Sequence, residues 1–204
     1  MFTAALFTVP HTGTHFIIDY MTLLDMPQSS RDGFIHLHTP QKIISNWNSG
    51  IWATIANTPC IITARDPYLT AIRYIHDDHP VSQIIDHWVS FLDALPHLNS
   101  FVLDIGCRPE NRLQHLIDAA IFLGRDPIEY ADKIQIYANK WTARNVSNNK
   151  IKHNYLQMGM LPNTQNRSSK LLGSNTHIKT QDVINWSLLD PAVAWYRSLP
   201  TNDY

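Results

Sequence analysis

The sequence predicts an α/β fold, a three-layer sandwich in which a central parallel sheet is flanked by helices. Two observations carry that prediction. Short apolar runs that suit buried strands alternate with longer stretches whose apolar residues recur at helical spacing, the pattern of strand–helix–strand units. Several of the runs are apolar almost without interruption, as in Pro59-Cys60-Ile61-Ile62-Thr63-Ala64, which is how a strand covered on both faces reads. With 204 residues, 44% of them hydrophobic, the chain is long enough for one well-buried core, so a single domain over 1–204 is expected.

The first element is an apolar run, Ala4-Ala5-Leu6-Phe7 and Val9, that stops at Pro10. His11-Thr12-Gly13-Thr14-His15 forms a tight loop, and Phe16, Ile17, Tyr20, Met21 and Leu24 continue at helical spacing. A second strand alternates over Gly33-Phe34-Ile35-His36-Leu37-His38, with Ile35 and Leu37 on one face and both histidines on the other, and Pro40 closes it. Gln41 to about Ser49 reads as helical. After the strand 59–64, Arg65-Asp66-Pro67 opens a helix with proline in its first turn. A longer amphipathic helix carries Ile84, Trp88, Phe91 and Leu95; Ser100 to Ile105 is a fourth strand; Pro109 to Leu123 is a helix stopped by Gly124. Residues 126–139 read as helical, and 145–174, rich in Asn, Ser and Lys, as a long loop. A last helical stretch spans Val183 to Leu199 and is expected to dock back on the sheet.

Composition narrows the function classes. A formal net charge of −1 gives no global basic field for nucleic acid or an anionic membrane, so anion binding has to be local. No stretch approaches ~20 uninterrupted apolar residues and no signal peptide is apparent, so a cytoplasmic protein is expected. Cys60 and Cys107 show no paired spacing and read as buried thiols.

The loop 10–15 is a candidate anion site, because the first turn of a helix leaves N–H groups unpaired and carries a positive dipole end. Gly13 lets an anion approach the backbone, and Thr12 and Thr14 add hydroxyls. Arg65, where a strand meets a helix start, can hold a phosphate in bidentate fashion or pair with a carboxylate such as Asp66. His38 is a candidate base; with His36 it is also a possible metal pair, though no third ligand follows at a telling spacing.

These features in this order resemble the sulfotransferases that use 3′-phosphoadenosine 5′-phosphosulfate (PAPS). Pro10-His11-Thr12-Gly13-Thr14-His15-Phe16 resembles the family's 5′-phosphosulfate loop, Pro-Lys-Ser-Gly-Thr-Thr-Trp. His36-Leu37-His38-Thr39-Pro40 resembles its Lys-Thr-His-Leu-Pro strand end, and Ile61 to Pro67 its Arg-Asn-Pro segment at the 3′-phosphate. Phe101-Val102-Leu103-Asp104 and the helix ending Phe122-Leu123-Gly124 are similar to the family's Phe-Tyr-Glu-Asp strand and Phe-Leu-Gly helix end. The resemblance covers roughly residues 5–124. It implies a P-loop-like sulfotransferase fold and in-line transfer of a sulfuryl group from PAPS to a hydroxyl or amine of a small-molecule or glycan-like acceptor. In that reading His38 is the base; His11, Thr12, Gly13, Thr14, His15 and Phe16 hold the 5′ end and adenine of PAPS or of its product 3′-phosphoadenosine 5′-phosphate (PAP). Arg65 and Arg73 then take the 3′-phosphate, and no metal, membrane or nucleic acid is expected. Oligomeric state and acceptor stay open.

The sequence also departs from that pattern. His11 stands where the family has lysine, and a histidine neutralises a leaving phosphate fully only when protonated. His15 replaces a threonine and Phe16 a tryptophan. The late basic loop of the family is not recognisable, with Arg144, Lys150 and Lys152 as loose candidates for its contacts. A protein that binds PAP without turnover is therefore an alternative. A P-loop kinase is a further one, weakened because no lysine follows Gly13 in the loop.

Overall fold

The computed structural model of the chain describes residues 2–38, 55–76, 79–141, 168–170 and 183–200. In chain order these hold β1 (Ala4–Thr8), α1 (Thr14–Leu23), β2 (Phe34–His38), β3 (Cys60–Ala64), α2 (Pro67–His76), α3 (Val81–Ala94), β4 (Ser100–Asp104), α4 (Arg112–Phe122), α5 (131–141), β5 (Ser168–Lys170), β6 (Val183–Asn185) and α6 (Asp190–Arg197). The first four strands form one parallel sheet in the order β2-β1-β3-β4. β1 is central, and all five of its residues are buried.

The strand alternation sends side chains into two cores, one on each face of the sheet. Ala4, Leu6, Phe34, Ile61 and Leu103 join residues of α1, α4 and α5 in one of them. Ala5, Phe7, Cys60 and Ile62 join residues of α2, α3 and α6 in the other. The molecule is thus an α/β sheet flanked by helices on both faces, as the alternating pattern predicts. Full burial of each large apolar side chain contributes about 1.5–3 kcal/mol, and Leu6, Phe7, Ile17, Trp88 and Phe91 are 0–1% exposed, so the two cores hold the sheet between the helix layers.

Local signals set the element ends. Asp66 Oδ1 accepts the backbone N–H groups of Tyr68 (2.9 Å) and Leu69 (3.4 Å), capping α2 with Pro67 in its first turn. Gly124 takes a left-handed φ of 70° beyond α4, its N–H bonding the carbonyl of Ile121 while that of Arg125 bonds Ala120, a double closure of the helix end.

Three boundaries differ from the sequence expectation. The stretch 109–123 opens as a 3-10 turn, Pro109–Asn111, before α4 begins. The helix expected at 126 begins at 131, because Asp126 Oδ1 takes the Ile128 N–H at 2.9 Å and folds 127–130 into turns. The stretch 183–199 is not one helix: Val183–Asn185 pairs antiparallel with Ser168–Lys170, a 3-10 turn spans Trp186–Leu189, and α6 starts at Asp190 with Pro191 in its first turn. Consecutive β-branched Val183 and Ile184 pair with the nearby strand Ser168–Lys170, and pairing overrode the helical period. The same pairing puts a strand inside the expected loop 145–174. Leu189 and Val193 do join the core beside α2 and α3. The helical reading of 41–49, and Arg144, Lys150 and Lys152, lie outside the described residues.

Candidate functional site

In a parallel sheet of order β2-β1-β3-β4 the chain moves to one side of β1 for β2 and to the other for β3 and β4. The switch lies between β1 and β3, and open α/β sheets bind ligands beyond the carboxyl ends of the strands at such a point. The loop 9–13 leaves β1 there and Arg65 leaves β3 there.

Residues at or next to the carboxyl ends of three strands make a polar row. Thr8 is in register with His38 on one side and with Thr63 on the other, and both pairs lie on the face that carries α1. Thr8 is fully buried. Its Oγ1 lies 3.1 Å from His36 Nε2 and 3.1 Å from His38 Nδ1, and it accepts the hydroxyl of Thr14 at 3.1 Å. The rings of His36 and His38 meet edge to face, with centroids 4.5 Å apart.

This environment disfavours imidazolium. Burial lowers the pKa of His36 to about 4, with further lowering by the charges of His38 and His15. His38, the most exposed residue of β2, is also lowered, chiefly by burial of its ring; a hydrogen bond to the Thr8 backbone pulls it back up and the charge of His15 lowers it again. At neutral pH His36 is a neutral imidazole. His15 itself is exposed in the first turn of α1.

The loop is built by backbone geometry. His11 and Gly13 both take positive φ, 64° and 103°, a conformation that glycine adopts freely and histidine adopts at a cost. A Cβ on Gly13 would stand 2.8 Å from Ile105 Cγ1, so glycine is required by space as well. Thr12, expected to offer its hydroxyl to an anion, is fully buried; its Oγ1 donates to the Val9 carbonyl at 2.7 Å and pairs with Thr63 Oγ1, which holds the loop to β3. No side chain caps α1 and no acidic residue stands in its first turn, so its leading N–H groups and dipole end face the switch point unneutralised.

Phe16, expected as a surface for the adenine, packs instead in the core against the rings of Tyr137 (4.7 Å) and Trp141 (5.0 Å). Its exposure is only 7%. The ring of His11 turns toward α2, edge-on to Tyr74 at 5.6 Å, whereas His38 is held on the α1 face.

Arg65 binds the loop directly, its guanidinium donating to the His11 carbonyl at 3.3 Å. Its pKa is lowered first by burial; Asp66 and Tyr196 raise it, and the nearby charge of Arg73 lowers it. Arg73 is exposed on α2. The charge of Arg73 on α2 thus opposes that of Arg65 at the end of β3, and an anion bound beside both would relieve that repulsion. Beside them, buried Asp104 accepts the Gly106 N–H at 2.8 Å and the Tyr196 hydroxyl at 3.2 Å. Cys60 and Cys107 are buried free thiols whose pKa burial pushes up to about 12, so neither is a thiolate. Among the described residues no group of three or more His, Cys, Asp or Glu is placed to hold a metal ion, and no helix is long and apolar enough to cross a membrane.

The structure therefore gathers His11, Gly13, Thr14, His38 and Arg65 at one sheet end and takes Phe16 and the Thr12 side chain into packing. Sequence reasoning missed Thr8, Thr63 and Tyr196. The first two had a signal, since each is the threonine at the end of an otherwise apolar strand, two residues before Pro10 and Arg65 respectively. No protein-family model matches the chain, and no curated protein matches it significantly.

Proposed function

We propose that this protein transfers a sulfuryl group from PAPS to a hydroxyl or amine acceptor. The observation that carries the reading is one convergence at the β1/β3 switch point. An uncapped helix N-terminus follows β1, an imidazole hydrogen-bonded to Thr8 ends the neighbouring β2, and a half-buried arginine tied to the same loop follows β3. The residues fit a ligand with two separate anionic ends. The leading N–H groups of α1, with Thr14 and His11, would hold the 5′ end, and Arg65 with Arg73 would hold the 3′-phosphate. PAPS supplies the activated sulfuryl group. The protein's part is orientation and electrostatics, which provide most of the acceleration in transfers of this kind. His38 would take the acceptor's proton as the acceptor oxygen or nitrogen bonds sulfur and the S–O bond to the phosphate breaks with its electron pair on the phosphate, a charge that the dipole end of α1 and His11 would face.

The reading that binding persists without turnover rests on the His11 ring, which leans on Tyr74 of α2. One experiment separates the alternatives: thermal shift with PAP, ATP plus magnesium, GTP and zinc, followed by transfer from PAPS to a broad acceptor panel. PAP at 100 times its Kd is expected to stabilise the fold by about 2.7 kcal/mol. Stabilisation without transfer to any acceptor leaves a PAP-binding protein. Stabilisation by ATP with magnesium and not by PAP points to a kinase and overturns the proposal.

A further inference from the structure

The Thr8 hydroxyl has one proton and two lone pairs, and three polar atoms lie 3.1 Å from it: Thr14 Oγ1, His36 Nε2 and His38 Nδ1. Thr14 donates to it, which uses one lone pair. The remaining lone pair and the single proton must serve the two imidazoles, so one ring nitrogen facing Thr8 carries a proton and the other does not. The two cases have opposite chemical meaning. If His38 Nδ1 accepts, the proton of a neutral His38 sits on Nε2 and the ring has no lone pair left for an acceptor. If His38 Nδ1 donates, Nε2 is a free base.

The role of His38 and the place of His36 decide between them. A base at His38 needs the Nε2 lone pair free for the acceptor, so Nδ1 is the nitrogen that carries the proton and donates to Thr8 Oγ1. His36 lies further from the strand end, on the same face of β2, and is a neutral ring whose Nε2 can accept. The chain of donation then runs from His38 Nδ1–H to Thr8 Oγ1 and from the Thr8 hydroxyl to His36 Nε2.

We propose that Thr8 is a positioning residue that locks His38 as the Nδ1–H tautomer, leaving Nε2 as the lone pair that takes the acceptor's proton, with His36 as the neutral sink that orients the Thr8 hydroxyl. This rests on the reading of His38 as the base. In the step the acceptor O–H or N–H bond breaks and a His38 Nε2–H bond forms, and the imidazolium keeps its Nδ1–H on Thr8 Oγ1. Holding the tautomer in this way supplies the orientation that a base in an enzyme needs from a second group.

The test has a readout that needs no activity. Long-range ¹⁵N–¹H spectra of the full chain labelled at histidine, taken above neutral pH and assigned with His36→Gln and His38→Gln, report which nitrogen carries each proton. Wild type is expected to show both His38 and His36 protonated at Nδ1. Thr8→Val is expected to move His38 toward the Nε2–H tautomer and to lower kcat by about 10²-fold or more at unchanged KM for PAPS, and Thr8→Ser to restore both. A wild-type His38 protonated at Nε2, or a His38 tautomer indifferent to Thr8→Val, overturns the proposal. If Thr8→Val does not fold, the wild-type spectrum and its match to Thr8→Ser decide. The expected wild-type spectrum from a protein that transfers no sulfuryl group supports the Thr8 lock and overturns the sulfotransferase reading alone.

Discussion

The two faces of the sheet start alike and end differently. On the face toward α2 and α3, β1 presents Ala5, Phe7 and Val9 and β3 presents Cys60 and Ile62, so the apolar pattern runs to the strand ends and beyond. On the face toward α1 the same strands begin with Ala4, Leu6, Phe34 and Ile61, then change to His36, His38, Thr8 and Thr63 in their last residues. One face is core over its whole length. The other is core at its base and a hydroxyl–imidazole network at its top. Because strand alternation keeps the two faces independent, a sheet can carry buried polar chemistry on one side without loosening the packing on the other.

That division predicts opposite costs for mutations one residue apart. Phe7 is fully buried and its ring stacks on Phe91 at 6.1 Å. Phe7→Ala is expected to cost about 3–5 kcal/mol in urea denaturation while leaving kcat of the folded fraction near wild type. On the other face, His38→Ala is expected to lower kcat by about 10²–10⁴-fold with PAP affinity nearly intact and little change in denaturation midpoint. Turnover unchanged in His38→Ala would remove its assignment as base. A smaller effect belongs to Arg65. Losing a hydrogen bond to a charged group is worth about 1.5–3 kcal/mol, so Arg65→Ala is expected to weaken PAP by roughly 10- to 100-fold. Adenosine 5′-phosphosulfate, which lacks the 3′-phosphate, is expected to lose far less by calorimetry. Equal losses would take Arg65 out of that subsite and assign it only to holding the His11 carbonyl.

Much of this was legible in the sequence because the signals were local. The Pro10 stop, the period-2 split of β2 and the Asp66-Pro67 helix start each act within a few residues, and the structure shows each of them. The turned-in Phe16 was not legible, since what covers it, Tyr137 and Trp141, comes from a helix more than a hundred residues later. The strand Val183–Asn185 was hidden for a different reason, its pairing partner Ser168–Lys170 standing in a polar stretch that reads as loop. Thr12 and Thr8 show a subtler limit. Sequence marks a threonine as a donor but not its partner, and here Thr12 holds Val9 and Thr63 while Thr8 meets the histidines.

The smallest effect tests whether the polar end of the α1 face really excludes charge. His36 is lowered from 6.5 to about 4, first by burial and then by the charges of His38 and His15, so in the folded protein it resists a proton that the unfolded chain accepts. A group with a depressed folded pKa contributes stability that is whole above its unfolded value and is lost as pH falls from about 6.5 toward 4. His38 and His115 are lowered as well and act in the same direction, so removing His36 takes away only its share. Urea midpoints measured across that range are expected to fall more gently for His36→Gln than for wild type, with the two proteins diverging only below about 6.5. Parallel curves would mean that the face admits a charged His36 at no cost. His36 could then not serve as a neutral acceptor for the Thr8 hydroxyl, and the strand end would differ from the apolar face in composition but not in its response to charge.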